Sequence, residues 1–206
     1  MRGKDQKGAS AIEFALSTTF WLPLLLGVMV LGFKLVEADQ VAEICRDTGH
    51  MYAYGTDFSQ SGNQSLAQRL AAGYNLTSTG NAVLIFTVVK MIGPNDCTAS
   101  GYVSAGQTPD TSNCPNLGQY VIAQQLSIGN TSLFSSKFGT ANAGLLDSQG
   151  NASLVAQVSS VALQTPSFGN VLTLSASQFS YLTEAYFSST DLWGNPTQGV
   201  YSRAIF

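Results

Sequence analysis

The chain has 206 residues, enough for one medium-sized domain with an appendage but not for a multidomain enzyme. Only 10% of them are charged, against about 25% in ordinary soluble domains, and a net charge of −3 excludes nucleic acid as an expected partner. The charges are also unevenly spread: residues 1–47 carry 11 of the 21, and the 159 that follow carry 10.

Arg2, Lys4 and Lys7, opposed by Asp5, precede a run of 20 uncharged residues from Phe14 to Phe33. At about 1.5 Å rise per residue such a run spans roughly 30 Å as a helix, one bilayer core. The run has no polar stripe of the kind that a soluble core helix shows. Ser17, Thr18 and Thr19 are the exceptions, and their hydroxyls can bond back to their own helix. The basic leader predicts a cytoplasmic N-terminus and export of everything beyond Lys34. A cleaved signal peptide ending at Val36-Glu37-Ala38 is the competing reading, but the run is longer than the usual apolar core of such peptides. Glu13 sits at the lip of the run. It is either a headgroup-level carboxylate or one that waits for a cationic partner inside an assembly. Pro23 removes a backbone hydrogen bond in mid-helix and is expected to loosen the turn before it, or simply to be a tolerated membrane-helix proline.

From Lys34 to Tyr54, Leu35, Val41, Ile44, Cys45, Thr48 and Met51 or Tyr52 recur at three- and four-residue spacing, with Glu43 and Asp47 on the opposite face. The first helix is therefore predicted from about 10 to 53, with Gly55 as its stop.

The leader, KGASAIEFAL and the long apolar helix together resemble prepilins of the type IV pilin kind. The resemblance is closest to TadE-like minor pilins, or pseudopilins, of the tight-adherence (Tad/Flp) secretion system, which carry Gly, four residues, then Glu-Phe-Ala-Leu. The stretch from Cys45 to Ala53 (CRDTGHMYA) resembles the segment that follows the membrane helix in that family, departing from it at Cys45 and His50. The resemblance covers about the first 55 residues, and the rest of the chain is long for the family. It implies cleavage by a prepilin peptidase between Gly8 and Ala9, with Glu13 and Phe14 as assembly residues. It also implies partners: the peptidase, other pilin or pseudopilin subunits, the inner-membrane platform and membrane lipid. The domain plan that follows is a leader at 1–8, a membrane segment at 9–33, its extracytoplasmic continuation at 34–55 and an exported β-rich head at 56–206. Localisation is then single-pass in the inner membrane, with the head periplasmic or extracellular.

In the remainder, Gln64–Ala72 reads as a short helix with Leu66 and Leu70 inward and Gly73 as its stop. Ala82–Ile92 reads as a central strand buried on both faces, turned by Gly93-Pro94-Asn95-Asp96, and Gln119–Ile128 as a second strand. Cys97 and Cys114 bracket the loop between them, and on the far side of a membrane a disulfide is the natural reading, worth about 3 kcal/mol. Cys45 is left over as a small packing residue. Asn130–Gly150 reads as an irregular excursion. Leu154–Leu163, Val171–Ser175, Tyr181–Phe187 and Val200–Phe206 are further strand candidates. Helix followed by sheet predicts an α+β, pilin-like fold: a long N-terminal helix against an antiparallel sheet.

A single histidine, His50, and no nucleophile elbow, phosphate loop or paired Cys-x-x-Cys motif argue against an enzyme, and no metal or cofactor is expected. Asp147, Glu184 and Asp191 read as solvated surface carboxylates, with Asp96 and Asp110 as remote candidates for a calcium ion. An assembly protein is the leading reading. A stand-alone envelope protein whose β-rich body binds carbohydrate or protein is the runner-up.

Overall fold

The computed structural model describes residues 6–71, 73–104, 106–190 and 196–206. Arg2, Lys4, Asp5 and Asp191 lie outside them. Helix α1 runs from Gln6 to Ala53, starting four residues earlier than the apolar periodicity alone predicts. Residues up to Gln40 form one compact unit, and residues from Val41 onward form a second.

The second unit is α+β. A four-stranded antiparallel sheet, in the order β2-β1-β3-β4, is built from β1 (Ala82–Met91), β2 (Tyr120–Gly129), β3 (Phe179–Thr190) and β4 (Pro196–Ile205). β1 lies inside the sheet and is buried on both faces from Ala82 to Thr87, as its unbroken apolar run predicts.

One sheet face carries Leu84 and Phe86 of β1 with Ala185 and Phe187 of β3, packed under the last part of α1. Val41, Ile44, Cys45, Thr48 and Tyr52 are all buried there, while Glu43 and Asp47 are exposed. The stripe read from the sequence is thus the packed stripe from Val41 onward. Gly49 sits on it because a side chain has no room: a Cβ would lie 2.4 Å from the ring of Phe206 and 3.0 Å from the Thr183 hydroxyl. Gly55 ends the helix at φ +90°, with its N–H bonded to the Tyr52 carbonyl at 3.0 Å and that of Thr56 to Met51 at 2.9 Å. Aromatic rings fill the interval, Phe58 stacking on Phe86 at 4.4 Å and Tyr74 on Phe187 at 4.4 Å.

The same face receives α2 (Ser61–Leu70), in a way the periodicity did not predict. Leu66 and Leu70 are each 41% exposed, and Ala67 and the following Ala71 are the buried residues. Two alanines four apart let the backbone approach the core closely, so the bulkier leucines face outward.

The other face is covered by the long excursion between β2 and β3. Val89 and Leu182 meet Phe138 and Phe168 there, and a neighbouring cluster joins Ile92, Val121, Val158 and Leu163. Two strand expectations fail in this excursion. Leu154–Ser159 is a short helix, α4, whose first turn is capped by the Ser153 hydroxyl accepting from Ala156 N at 3.2 Å, and Val161–Leu163 is a single 3₁₀ turn. Val171–Ser175 has no strand partner and is tied to the sheet by the Tyr120 hydroxyl, which accepts from Leu174 N at 3.2 Å. The register shift opposite Val88 and Val89 leaves Ala123 unpaired in β2, and its carbonyl accepts instead from Ala152 of the excursion at 2.9 Å.

The turn expected at Gly93–Asp96 is a short helix, α3 (Pro94–Ala99), started by proline and closed by Asp96, which accepts from Gly93 N at 2.9 Å. Cys97 and Cys114 are disulfide-bonded, with Cα atoms 6.0 Å apart. Replacing both by alanine is expected to lower the unfolding free energy by about 3 kcal/mol, read as a lower thermal midpoint of the non-reduced protein. A reducing agent should produce the same loss in the unaltered chain and no further loss in the double variant.

Candidate functional site

The surface that most constrains function is the apolar part of α1. From Phe14 to Phe33, twelve large apolar side chains are exposed around the helix. The helix is long and apolar enough to cross a membrane. The two threonines between Phe14 and Phe33 are self-satisfied: the hydroxyl of Thr18 donates to the Phe14 carbonyl at 2.8 Å and that of Thr19 to the Ala15 carbonyl at 2.9 Å. Neither hydroxyl would leave an unmade donor bond in an apolar medium.

Gly8 and Ala9 lie within the helical backbone, and Glu13 is exposed immediately before Phe14. The four-residue spacing of Ala9 and Glu13 sets them on the same helix face, about one turn apart. Pro23 is accommodated without a break in the helix. It has no N–H to offer the Thr19 carbonyl, and a shallow hollow lined by Phe14, Thr18, Thr19, Leu22 and Pro23 lies on that side. Lys34 and Glu37 close the apolar run with a 3.1 Å ion pair.

In the body the carboxylates are structural ties. Asp96 is buried and accepts from Lys90 Nζ at 2.6 Å, Gly93 N at 2.9 Å and the Ser177 hydroxyl at 2.8 Å. Burial pushes its carboxyl up, but these donors and the Lys90 charge outweigh burial and hold it below the usual carboxylate range. Asp110 is exposed and closes a turn on Ser112 and Asn113, whose bonds hold its carboxyl low. Asp147 does the same for the turn ending at Asn151. Asp96 and Asp110 share no site, and no group of three His, Cys, Asp or Glu among the described residues suits a metal ion.

Glu184 contradicts the expectation of a surface carboxylate. It is 1% exposed, in the middle of β3, facing the excursion. Its carboxylate accepts from the Ser136 hydroxyl in a short hydrogen bond, from Lys137 N at 3.1 Å and from the Tyr201 hydroxyl at 2.9 Å. Burial and the Glu184 charge raise the Tyr201 phenol well above its ordinary value, so it stays a donor. Lys137 Nζ lies 3.7 Å above the Tyr201 ring. Alternation along β3 hinted at this: Glu184 shares the inward period of Leu182, a signal outweighed by the rarity of buried glutamate.

Cys45 is fully buried and its thiol donates to the Thr183 carbonyl at 3.3 Å. Burial pushes it up to about 12, so it remains a protonated packing residue. His50 rests its ring 4.5 Å from that of Phe206.

The chain matches no protein-family model, and no curated protein or solved structure is significantly similar to it.

Two outcomes follow for the carboxylates. Glu184→Ala leaves three donors facing an apolar layer and is expected to cost about 2–4 kcal/mol, with Glu184→Gln costing less, by denaturant unfolding. Asp96→Asn should cost about 2 kcal/mol at neutral pH. Because the folded Asp96 carboxyl lies low, its contribution is complete above the unfolded value of about 3.9 and fades as pH falls through the folded one. The stability gap between Asp96→Asn and the unaltered chain should therefore close in acid.

Proposed function

We propose that the protein is a membrane-anchored assembly subunit, a minor pilin or pseudopilin of the tight-adherence type, cut between Gly8 and Ala9 by a prepilin peptidase. The observation that carries this reading is helix α1. An exposed apolar stretch of membrane length opens on Phe14 and is preceded by Gly8 and Glu13 in prepilin order, and the same helix supplies Val41 to Tyr52 to a disulfide-bonded α+β body.

Each part has a physical role in that reading. Cleavage removes Arg2, Lys4, Asp5 and Lys7 and frees an α-amino group on Ala9, positive at neutral pH. This cation appears one turn before Glu13, so the two charges can compensate each other within one subunit or between neighbours in an apolar bundle. Phe14 and the residues after it then anchor the subunit in lipid until other pilin subunits replace lipid around the helix. Pro23 and the unbonded Thr19 carbonyl make one turn easier to bend during that transfer. The N-terminus faces the cytoplasm and the body lies across the membrane, where the Cys97–Cys114 bridge persists. The body works by contact, with no catalytic step.

N-terminal sequencing of the protein from its native membrane tests the reading. A mature chain beginning at Ala9, and retention of the leader in Gly8→Val, are the expected results. A chain beginning at Asp39 would replace this reading with simple secretion. Glu13→Ala should still be processed but should enter the assembled apparatus at least tenfold less well, consistent with several kcal/mol for half of a buried ion pair. Unchanged assembly would refute the pairing role.

A further inference from the structure

Beyond α1, one cleft in the body has the chemistry of a ligand site. It lies where the last turn of α1 and the residues after it meet β2, the start of β3 and the excursion, with Tyr52, Asp57, Gln124, Gln149, Asn151 and Tyr181 along its wall. Its volume is about 260 Å³, just under the roughly 300–1,000 Å³ typical of drug-sized ligands, which suits one small ring.

Two locked turns hold the wall. Asp57 accepts from Ser59 N at 2.9 Å. Asp147 accepts from Gln149 N at 2.8 Å and Asn151 N at 2.8 Å. Gly150, at φ +76°, presses that turn onto β2 so closely that a Cβ would lie 2.4 Å from the Gln125 carbonyl. Between the turns, the Tyr52 hydroxyl donates to Gln124 Oε1 at 2.7 Å, and Gln124 Nε2 donates to the Gln149 carbonyl at 3.1 Å. The wall is therefore set before any ligand arrives, which lowers the ordering cost of binding.

Hydrogen-bonding capacity remains unused on it. Among the described residues, the Tyr181 hydroxyl, the Gln149 carboxamide and the Asn151 side-chain oxygen have no protein partner. Gln124 has spent one of its two amide hydrogens. The wall holds no cation and one carboxylate, Asp57, so it does not favour anions. Two tyrosine rings, set edge to face at 5.3 Å, supply the apolar part. Planar amides, a carboxylate and tyrosines converging on a small polar cleft match a ring that presents hydroxyls on its edge and C–H groups on its face.

We propose that this cleft binds a neutral saccharide, one pyranose ring of a surface glycan. The site is independent of the apolar stretch of α1 and of Glu13, so the body would add recognition to an assembly subunit.

The test uses the full chain in a detergent without a sugar headgroup, titrated with glucose, galactose, mannose and N-acetylglucosamine and followed by ligand-observed NMR. At least one sugar should bind with Kd on the order of 1 mM or tighter. Gln149→Ala and Tyr181→Phe, neither of which removes a protein–protein hydrogen bond, should weaken that sugar several-fold with an unchanged thermal midpoint. Glucuronate should bind less tightly than glucose. Failure of all four sugars, equal binding by the two variants, tighter binding of glucuronate, or binding of choline alone would overturn the proposal.

Discussion

The apolar face of α1 from Phe14 to Phe33 sets the terms for the rest of the molecule. Each large apolar side chain left in water forgoes about 1.5–3 kcal/mol, so the twelve exposed there represent tens of kcal/mol. A domain's whole stability is about 5–15 kcal/mol. Covering that surface with something apolar would release more free energy than the folding of the body does. Lipid, and then the helices of neighbouring subunits, are the covers in the proposed function. The body must meanwhile fold around a core of its own, and it does so from Val41 onward.

That core is organised by scarcity of charge. Beyond α1 the described residues include five Asp and Glu side chains, and each accepts hydrogen bonds that hold a turn or a layer in place. Asp57, Asp110 and Asp147 close loops, Asp96 joins β1 to α3 and to the approach to β3, and Glu184 fastens the excursion to the sheet. The low charged fraction therefore reflects a body in which acids serve the backbone, while Ser, Thr, Asn and Gln supply the solvated surface. Such a surface suits contact with neutral partners, which is the chemistry of the cleft beside Tyr181.

Legibility in the sequence followed the physics of each element. β1 and β2 were readable because long apolar or alternating runs bounded by glycine and proline leave few alternatives, and the stripe from Val41 to Tyr52 because two or more turns reveal a helical period. Leu154–Ser159 was not readable as helix: one and a half turns carry no period, and its valines resemble a strand until the Ser153 cap is seen. Leu66 and Leu70 misled because a close helix–sheet approach selects alanine, overriding the rule that the largest apolar residues go inside. Glu184 was hidden for a similar reason, since its partners Ser136, Lys137 and Tyr201 lie 48, 47 and 17 residues away from it and reach it only through the fold. The processing residues Gly8, Ala9, Glu13 and Phe14 are the reverse case, a local motif legible in sequence whose meaning depends on enzymes and neighbours outside the chain.

Topology is the most direct measurement of the central claim, because anchoring, processing and assembly all require α1 to cross a membrane. Single cysteines introduced by Ser10→Cys and Ser148→Cys can be probed in spheroplasts with a membrane-impermeant maleimide; the buried, protonated Cys45 and the bridged Cys97 and Cys114 supply an unreactive background. Labelling of Ser148→Cys before lysis, with Ser10→Cys protected until the membrane is opened, is the expected result. Labelling of both positions in intact spheroplasts, or of Ser148→Cys only after lysis, would contradict it.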